Sequence, residues 1–188
     1  MSDDGQSTRL GWVSTALDQY EERLLRYAQR ITGDAERARD VVQETFLKLC
    51  KEDPAALNGR LAQWLYTVCR NQALDVRRKE VRVCIQAEPP EQVSRARNDD
   101  PSLSVEDHDT LETIQVELAR LSPNQQECIR LKFQHGLSYR EIGAVTGLSV
   151  SNVGFLIHTG LKKVRERLQR ASIAEPFHDR QHTQHTTI

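Results

Sequence analysis

The sequence predicts an all-α chain of two small helical domains joined by a flexible linker, the C-terminal one a helix-turn-helix. Three observations carry this. Apolar residues recur at helical spacing in several separate segments, and no segment shows the alternating pattern of a strand. Two Ser-x-x-Glu/Gln boxes mark helix starts in the last third of the chain. Between the two helical stretches, residues 83–110 carry Pro89-Pro90, Asp99-Asp100-Pro101 and few large apolar groups, the composition of a linker.

Residues 1–9 are expected as a disordered N-terminus and 10–82 as the first domain. Its first helix presents Leu17, Tyr20, Leu24, Tyr27, Ala28 and Ile31 on one face and stops at Thr32-Gly33. Asp34 caps a second, in which Ala38, Val41, Val42, Thr45, Phe46 and Leu49 keep the same rhythm. Proline and Asn-Gly between Glu52 and Gly59 make a loop. A third helix runs from about Arg60 to Arg78, with Leu61, Leu65, Val68, Ala73 and Val76 inward.

The second domain, 111–170, opens on a face of Leu111, Ile114, Leu118 and Leu121. Ser122-Pro123-x-Gln125 is a capping box with proline at the first helical position, and His135-Gly136 closes that helix. Ser138 and Glu141 cap the next, with Ile142 and Val145 inward and Gly147 where a left-handed turn would stop it. A last helix opens near Ser149 with Val153, Ile157, Leu161, Val164 and Leu168 on its inner face. Its outer face holds Ser151, Asn152, Phe155, His158 and Thr159, followed by Lys162, Lys163 and Arg165. One short bracing helix followed by one bearing polar and basic groups is the layout that reads a DNA major groove. An ordinary helical hairpin with a solvated basic end is the plainer alternative.

The net charge of −1 hides a strong segregation. Residues 60–82 carry six basic and two acidic groups, a balance of +4, and residues 160–170 five against one, again +4. Residues 86–112 carry eight acidic and two basic groups, a balance of −6. Two basic patches flanking an acidic spacer imply two separate nucleic-acid contacts. Extended, the 28 linker residues could reach about 90 Å, and as loose coil would hold the domains roughly 30 Å apart. No apolar run approaches a membrane span and Met1–Arg9 lacks a signal-peptide core, so a cytoplasmic location is expected. Cys50, Cys69, Cys84 and Cys128 are widely spaced and read as free thiols, with no metal-binding motif and no cofactor expected. No nucleophile–base pair or phosphate-cradling glycine loop appears, which argues against an enzyme.

Opposite the inner face of the second helix, Asp40, Gln43, Glu44 and Leu47 form a stripe suited to a basic partner helix, or a solvated face with one stray leucine. On the third helix Trp64, Thr67, Asn71 and Arg78 share one stripe, and Tyr66, Arg70 and Arg77 its neighbour. Aromatics interleaved with Asn and Arg offer stacking, base-edge hydrogen bonds and phosphate contacts to unpaired bases. Trp64 reads equally well as a core residue.

Asp40-Val-Val-Gln-Glu-Thr-Phe46, Trp64-Leu-Tyr-Thr-Val-Cys-Arg-Asn71 with Leu74-Asp75, and Gly136-Leu-Ser-Tyr-Arg-Glu-Ile142 together resemble bacterial RNA polymerase sigma factors. The two-domain layout is similar to their extracytoplasmic-function (ECF) group. The resemblance implies that Asp40, Gln43, Glu44 and Leu47 dock on the clamp helices of the polymerase core, whose flap is a further contact. It implies that Trp64, Tyr66, Arg70, Asn71, Arg77 and Arg78 capture single-stranded −10 DNA, with the Lys51–Gly59 loop accepting an extruded base. Ser151, Asn152, Phe155, His158, Thr159, Lys162, Lys163 and Arg165 would read the −35 duplex, Phe155 meeting a thymine methyl. An anti-sigma factor is a further partner the family implies. Gly154, Leu156 and Thr159 stand where typical relatives carry basic residues, shifting phosphate contact to Lys162, Lys163 and Arg165. Gly154 and Gly160 each weaken the helix by roughly 1 kcal/mol relative to alanine. A free-standing helix-turn-helix repressor or activator is the alternative, with residues 10–82 for dimerisation or sensing. The tail 171–188 reads as disordered, although His178, His182 and His185 would share a face if helical.

Overall fold

The computed structural model describes residues 3–86 and 113–174, with side chains over 9–82 and 113–170. Every regular element among them is a helix: α1 (Asp3–Thr32), α2 (Ala35–Leu49), α3 (Leu61–Gln86), α4 (113–119), α5 (Pro123–Phe133), α6 (Tyr139–Thr146) and α7 (Val150–Ala174). Three boundaries differ from the sequence expectation. Residues 3–9, expected to be disordered, belong to α1, and 83–86, expected in the linker, extend α3. Residues 171–174 extend α7; the rest of the linker, the rest of the tail with its three histidines, and the side chain of Cys84 lie outside the described residues. No single described helix is long and apolar enough to cross a membrane.

The N-terminal unit is a three-helix packing of α1, α2 and α3. Asp34 caps α2, its side chain accepting from the Arg37 amide, after Gly33 turns the chain at φ +76°. The inward residues of α2 are the six that the periodicity places there, and with Leu24, Leu57, Leu65 and Ala73 they form the core. Leu24, Leu49 and Leu65 are fully buried, each contributing about 2–3 kcal/mol of apolar transfer. Cys69 is buried in the same core, which pushes its thiol up to about 12 and keeps it protonated. Trp64 is half-buried against this core, closer to its structural reading than to a free stacking platform.

In the C-terminal unit both capping boxes form as read: Ser122 with Gln125 and Ser138 with Glu141 satisfy each other's backbone reciprocally. Gly147 ends α6 at φ +77°. The inner face of α7 departs from the expected one. Val153, Ile157 and Val164 are buried, but Leu161 is 38% exposed and Gly160 takes the central place. A Cβ at Gly160 would lie 2.8 Å from Ile129 Cδ1 and 3.4 Å from Leu121 Cδ1. The glycine therefore lets α7 approach α5 closely, and turning that position inward turns Leu161 toward the rim. Glu117 on α4 is 8% exposed; it pairs locally with Arg120 at 2.5 Å and with Arg167 of α7 at 3.5 Å, the latter tying the first helix of the unit to its last.

Gly143 leaves no room for a side chain at the α6–α7 junction: a Cβ there would stand 2.8 Å from the carbonyl oxygen of Leu148. Since the obstruction is backbone, Gly143→Ala is expected to cost about 1–3 kcal/mol as the turn splays. The melting temperature of the full chain measures it, and an unchanged value would show that the turn yields freely.

The two units are in contact. Helix α6 packs on α3, so the folded chain brings together what a loose linker was expected to hold roughly 30 Å apart.

Candidate nucleic-acid interface

The helix-turn-helix presents Ser151, Asn152, Phe155 and His158 to solvent along the start of α7, Phe155 at 64% exposure. Ser149 caps that start, its Oγ accepting from the Asn152 amide at 3.2 Å. Lys162, Lys163 and Arg165 follow on the exposed side, Lys162 at 4.0 Å from Glu166. Thr159 departs from its expected role. It is half-buried, its Oγ1 accepts from Gln125 Nε2 at 3.0 Å and donates to the Phe155 carbonyl at 2.7 Å. Thr159 thus fastens α7 to α5 and leaves no hydroxyl proton for a base edge. Gly154 and Leu156 are half-buried too, and a Cβ at Gly154 would stand 3.6 Å from Tyr139 Cε2.

On α3, Asn71, Arg77 and Arg78 are exposed, Arg78 lying 3.3 Å from Asp75. The adjoining loop is an ordered run of turns. Ala56, Leu57 and Asn58 amides donate to the Asp53, Pro54 and Ala55 carbonyls, Leu57 is buried, and Gly59 takes φ +71°. Arg9, in the segment expected to be disordered, reaches across from α1 and donates to the Glu52 carbonyl at 2.5 Å. Arg9→Ala is expected to loosen the loop by about 1–2 kcal/mol, roughly tenfold in amide exchange over 51–59, with 61–82 unchanged. Equal protection in both proteins would show that the hydrogen bond holds nothing.

Tyr66 and Arg70 are not on an open surface. Tyr66 is fully buried and its hydroxyl meets His135 Nδ1 at 2.8 Å, while the two rings stand 4.9 Å apart. Tyr27 packs edge-on against both. Arg70 donates through Nε and Nη2 to the two carboxylate oxygens of Glu127 at 2.7 and 3.2 Å, a bidentate pair in which each side chain is 19% exposed. The Tyr27 hydroxyl donates to the same carboxylate at 2.7 Å, and Arg30 to Gln134 at 2.6 Å. Apart from Tyr27 on Tyr66, each of these contacts joins the N-terminal unit to the C-terminal unit. Burial first, then the Glu127 charge, raises the Tyr27 hydroxyl well above its ordinary range. Burial also lowers His135 to about 4, helped by Arg30, Arg23, Arg26 and Arg130. His135 is therefore neutral at pH 7, with Nε2 buried and without a partner. The sequence reading missed His135, Glu127 and Gln134, because a histidine before a helix-closing glycine looks like loop and the partners lie 57 to 104 residues away.

On α2, Asp40, Gln43 and Glu44 are all exposed and Leu47 is 55% exposed, opposite the buried face. The stripe remains open after both units have folded and packed.

A family model of Sigma-70 region 2 matches residues 16–83, and one of Sigma-70 region 4 matches residues 111–164. The chain is 31% identical over 156 residues to the ECF RNA polymerase sigma factor SigE of Mycolicibacterium smegmatis, covering 82% of this chain but 60% of that protein. It is 31% identical over 166 residues to the ECF RNA polymerase sigma factor SigL of Mycobacterium tuberculosis, covering 83% of this chain and 88% of that protein. Among solved structures, the sigma factor RpoE of Bartonella quintana, in complex with the anti-sigma factor NepR, has the same fold with a TM-score of 0.64 at 23% identity. The superposition covers 83% of this chain and 96% of that one.

Proposed function

The chain belongs to the ECF group of RNA polymerase sigma factors, and from that premise we propose how its two units divide promoter recognition. Sigma factors act in promoter-directed initiation by binding RNA polymerase and promoter DNA, and are regulators, not enzymes. One observation carries the reading: Asp40, Gln43, Glu44 and Leu47 stay open to solvent on a helix whose other face is core. This stripe docks on the basic side of the polymerase clamp helices, while the C-terminal unit meets the flap. A free-standing repressor would give the stripe no task.

On the docked factor, Asn71 reads a base of the non-template −10 strand, Arg77 and Arg78 hold its backbone, and the 51–59 loop accepts an extruded base. In the C-terminal unit, Ser151, Asn152, Phe155 and His158 face the −35 base edges, and Lys162, Lys163 and Arg165 meet phosphates. Thr159 plays a supporting part through Gln125. Two elements some 25 base pairs apart span about 85 Å of duplex at ~3.4 Å per pair. Units in mutual contact cannot reach both, so they part on the polymerase, freeing Tyr66 and Arg70. Holding both elements from one machine raises the effective concentration of each weak contact. The factor works in the cytoplasm, where polymerase and chromosome are, and an anti-sigma protein is a fitting regulatory partner.

The test is in vitro transcription with core polymerase on a genomic library, reading start sites. Factor-dependent starts sharing two spaced elements are expected. Absence of any factor-dependent start would overturn the reading.

A further inference from the structure

The bidentate pair of Arg70 with Glu127 is the geometry a guanidinium makes with a phosphodiester as readily as with a carboxylate. Arg77 follows Arg70 by seven residues, two helical turns or about 10 Å, on the same side of α3. Arg77 is exposed, whereas Arg70 is occupied. The basic strip of α3 is therefore open at one end and plugged at the other by the C-terminal unit. The plug matches a nucleotide in two respects. The Glu127 carboxylate takes two donors from Arg70 and one from Tyr27, as a backbone phosphate would. The Tyr66 hydroxyl in turn meets His135 Nδ1 at 2.8 Å, the two planes tilted by 47°, a ring nitrogen where a base edge would bond.

We propose that Glu127 and His135 imitate a nucleotide of single-stranded DNA, so that closure of the two units and strand capture on α3 compete for Arg70 and Tyr66. This rests on the reading of α3 as the −10 surface. The free factor is closed and binds single strands weakly, with Arg70 satisfied and Tyr66 dry. A strand that takes Arg70 releases Glu127, and by linkage whatever parts the units strengthens strand binding by the same factor.

The experiment uses the full chain and a fluorescein-labelled single-stranded DNA 15-mer randomised at every position, read by fluorescence anisotropy. Glu127→Gln keeps the side chain's shape and removes its charge. It is expected to raise affinity about tenfold, whereas Glu21→Gln, on the exposed face of α1, controls for net charge and should change it less than twofold. In the Arg70→Gln background, Glu127→Gln should give no gain, because the shared partner is gone. Small-angle scattering on the wild-type chain supplies a second reading that needs no substitution: saturating 15-mer should increase the radius of gyration. If Glu127→Gln binds the 15-mer no better than Glu21→Gln does, the competition is overturned. So it is if the wild-type chain stays compact at saturation. Neither failure touches promoter-directed transcription, which the start-site experiment decides separately.

Discussion

Replacing Asp40 and Glu44 together by lysine is expected to weaken binding to core RNA polymerase at least about 100-fold, or roughly 2.7 kcal/mol, with the melting temperature nearly unchanged. Both carboxylates are exposed, and neither has a hydrogen-bond or ion-pair partner among the described residues. Their removal therefore takes little from the fold, because exposed charges contribute between nothing and about 1 kcal/mol each. The effect on docking is of another order. The double change swings the stripe by four charges, and like charges brought together in an interface cost several kcal/mol. The neighbouring Leu47, at 55% exposure, loses its desolvated seat once the flanking groups repel. Affinity capture of core polymerase by the double variant at the wild-type level would exclude the α2 stripe as the docking surface. Retained melting temperature in the same sample would show that a loss is not unfolding.

What could be read in the sequence was local, and the reason is physical. A capping box is written within four residues, so Ser122–Gln125 and Ser138–Glu141 could be seen without knowing what surrounds them. The inner face of α2 follows from period alone, because nothing but core meets it. The expected α7 face differs at Leu161 because a glycine carries no apolar signal, yet Gly160 is buried against Ile129 and Leu121 where a Cβ would not fit. Thr159 looked like a reader because its position on the helix points outward; Gln125, 34 residues earlier, claims it. Tyr66 and Arg70 illustrate the same limit at larger scale. Stacking and phosphate-binding side chains have the same composition whether they face a strand or a partner unit imitating one. Arg9 was invisible because its partner is a backbone carbonyl, which every residue has.

Acidifying the free factor from pH 7.5 to 5.5 is expected to disfavour the closed arrangement about tenfold, and toward pH 4 by up to about 3 kcal/mol. His135 carries this. It is 7% exposed in the closed chain, where its pKa falls to about 4, against an ordinary 6.5 once the units part. A group whose pKa is depressed by closure binds protons more readily in the open form. The stabilisation is therefore complete above pH 6.5 and is lost as the pH falls from 6.5 through 4. One pH unit below 6.5 corresponds to a factor of ten, and the full interval of about 2.5 units to roughly 3 kcal/mol. The surroundings give the sign its cause. Burial comes first, then Arg30, Arg23 and Arg26 of α1 and Arg130 of α5, all positive. Tyr66 and Tyr27 contribute a hydroxyl and two rings, and neither supplies a carboxylate that would welcome an imidazolium. Small-angle scattering across this range measures the opening, and His135→Gln should flatten the profile while His158→Gln, on the exposed side of α7, should not. A wild-type chain that stays equally compact from pH 7.5 to 5 would mean that His135 reaches solvent without the units parting, and the histidine would then have no hold on closure.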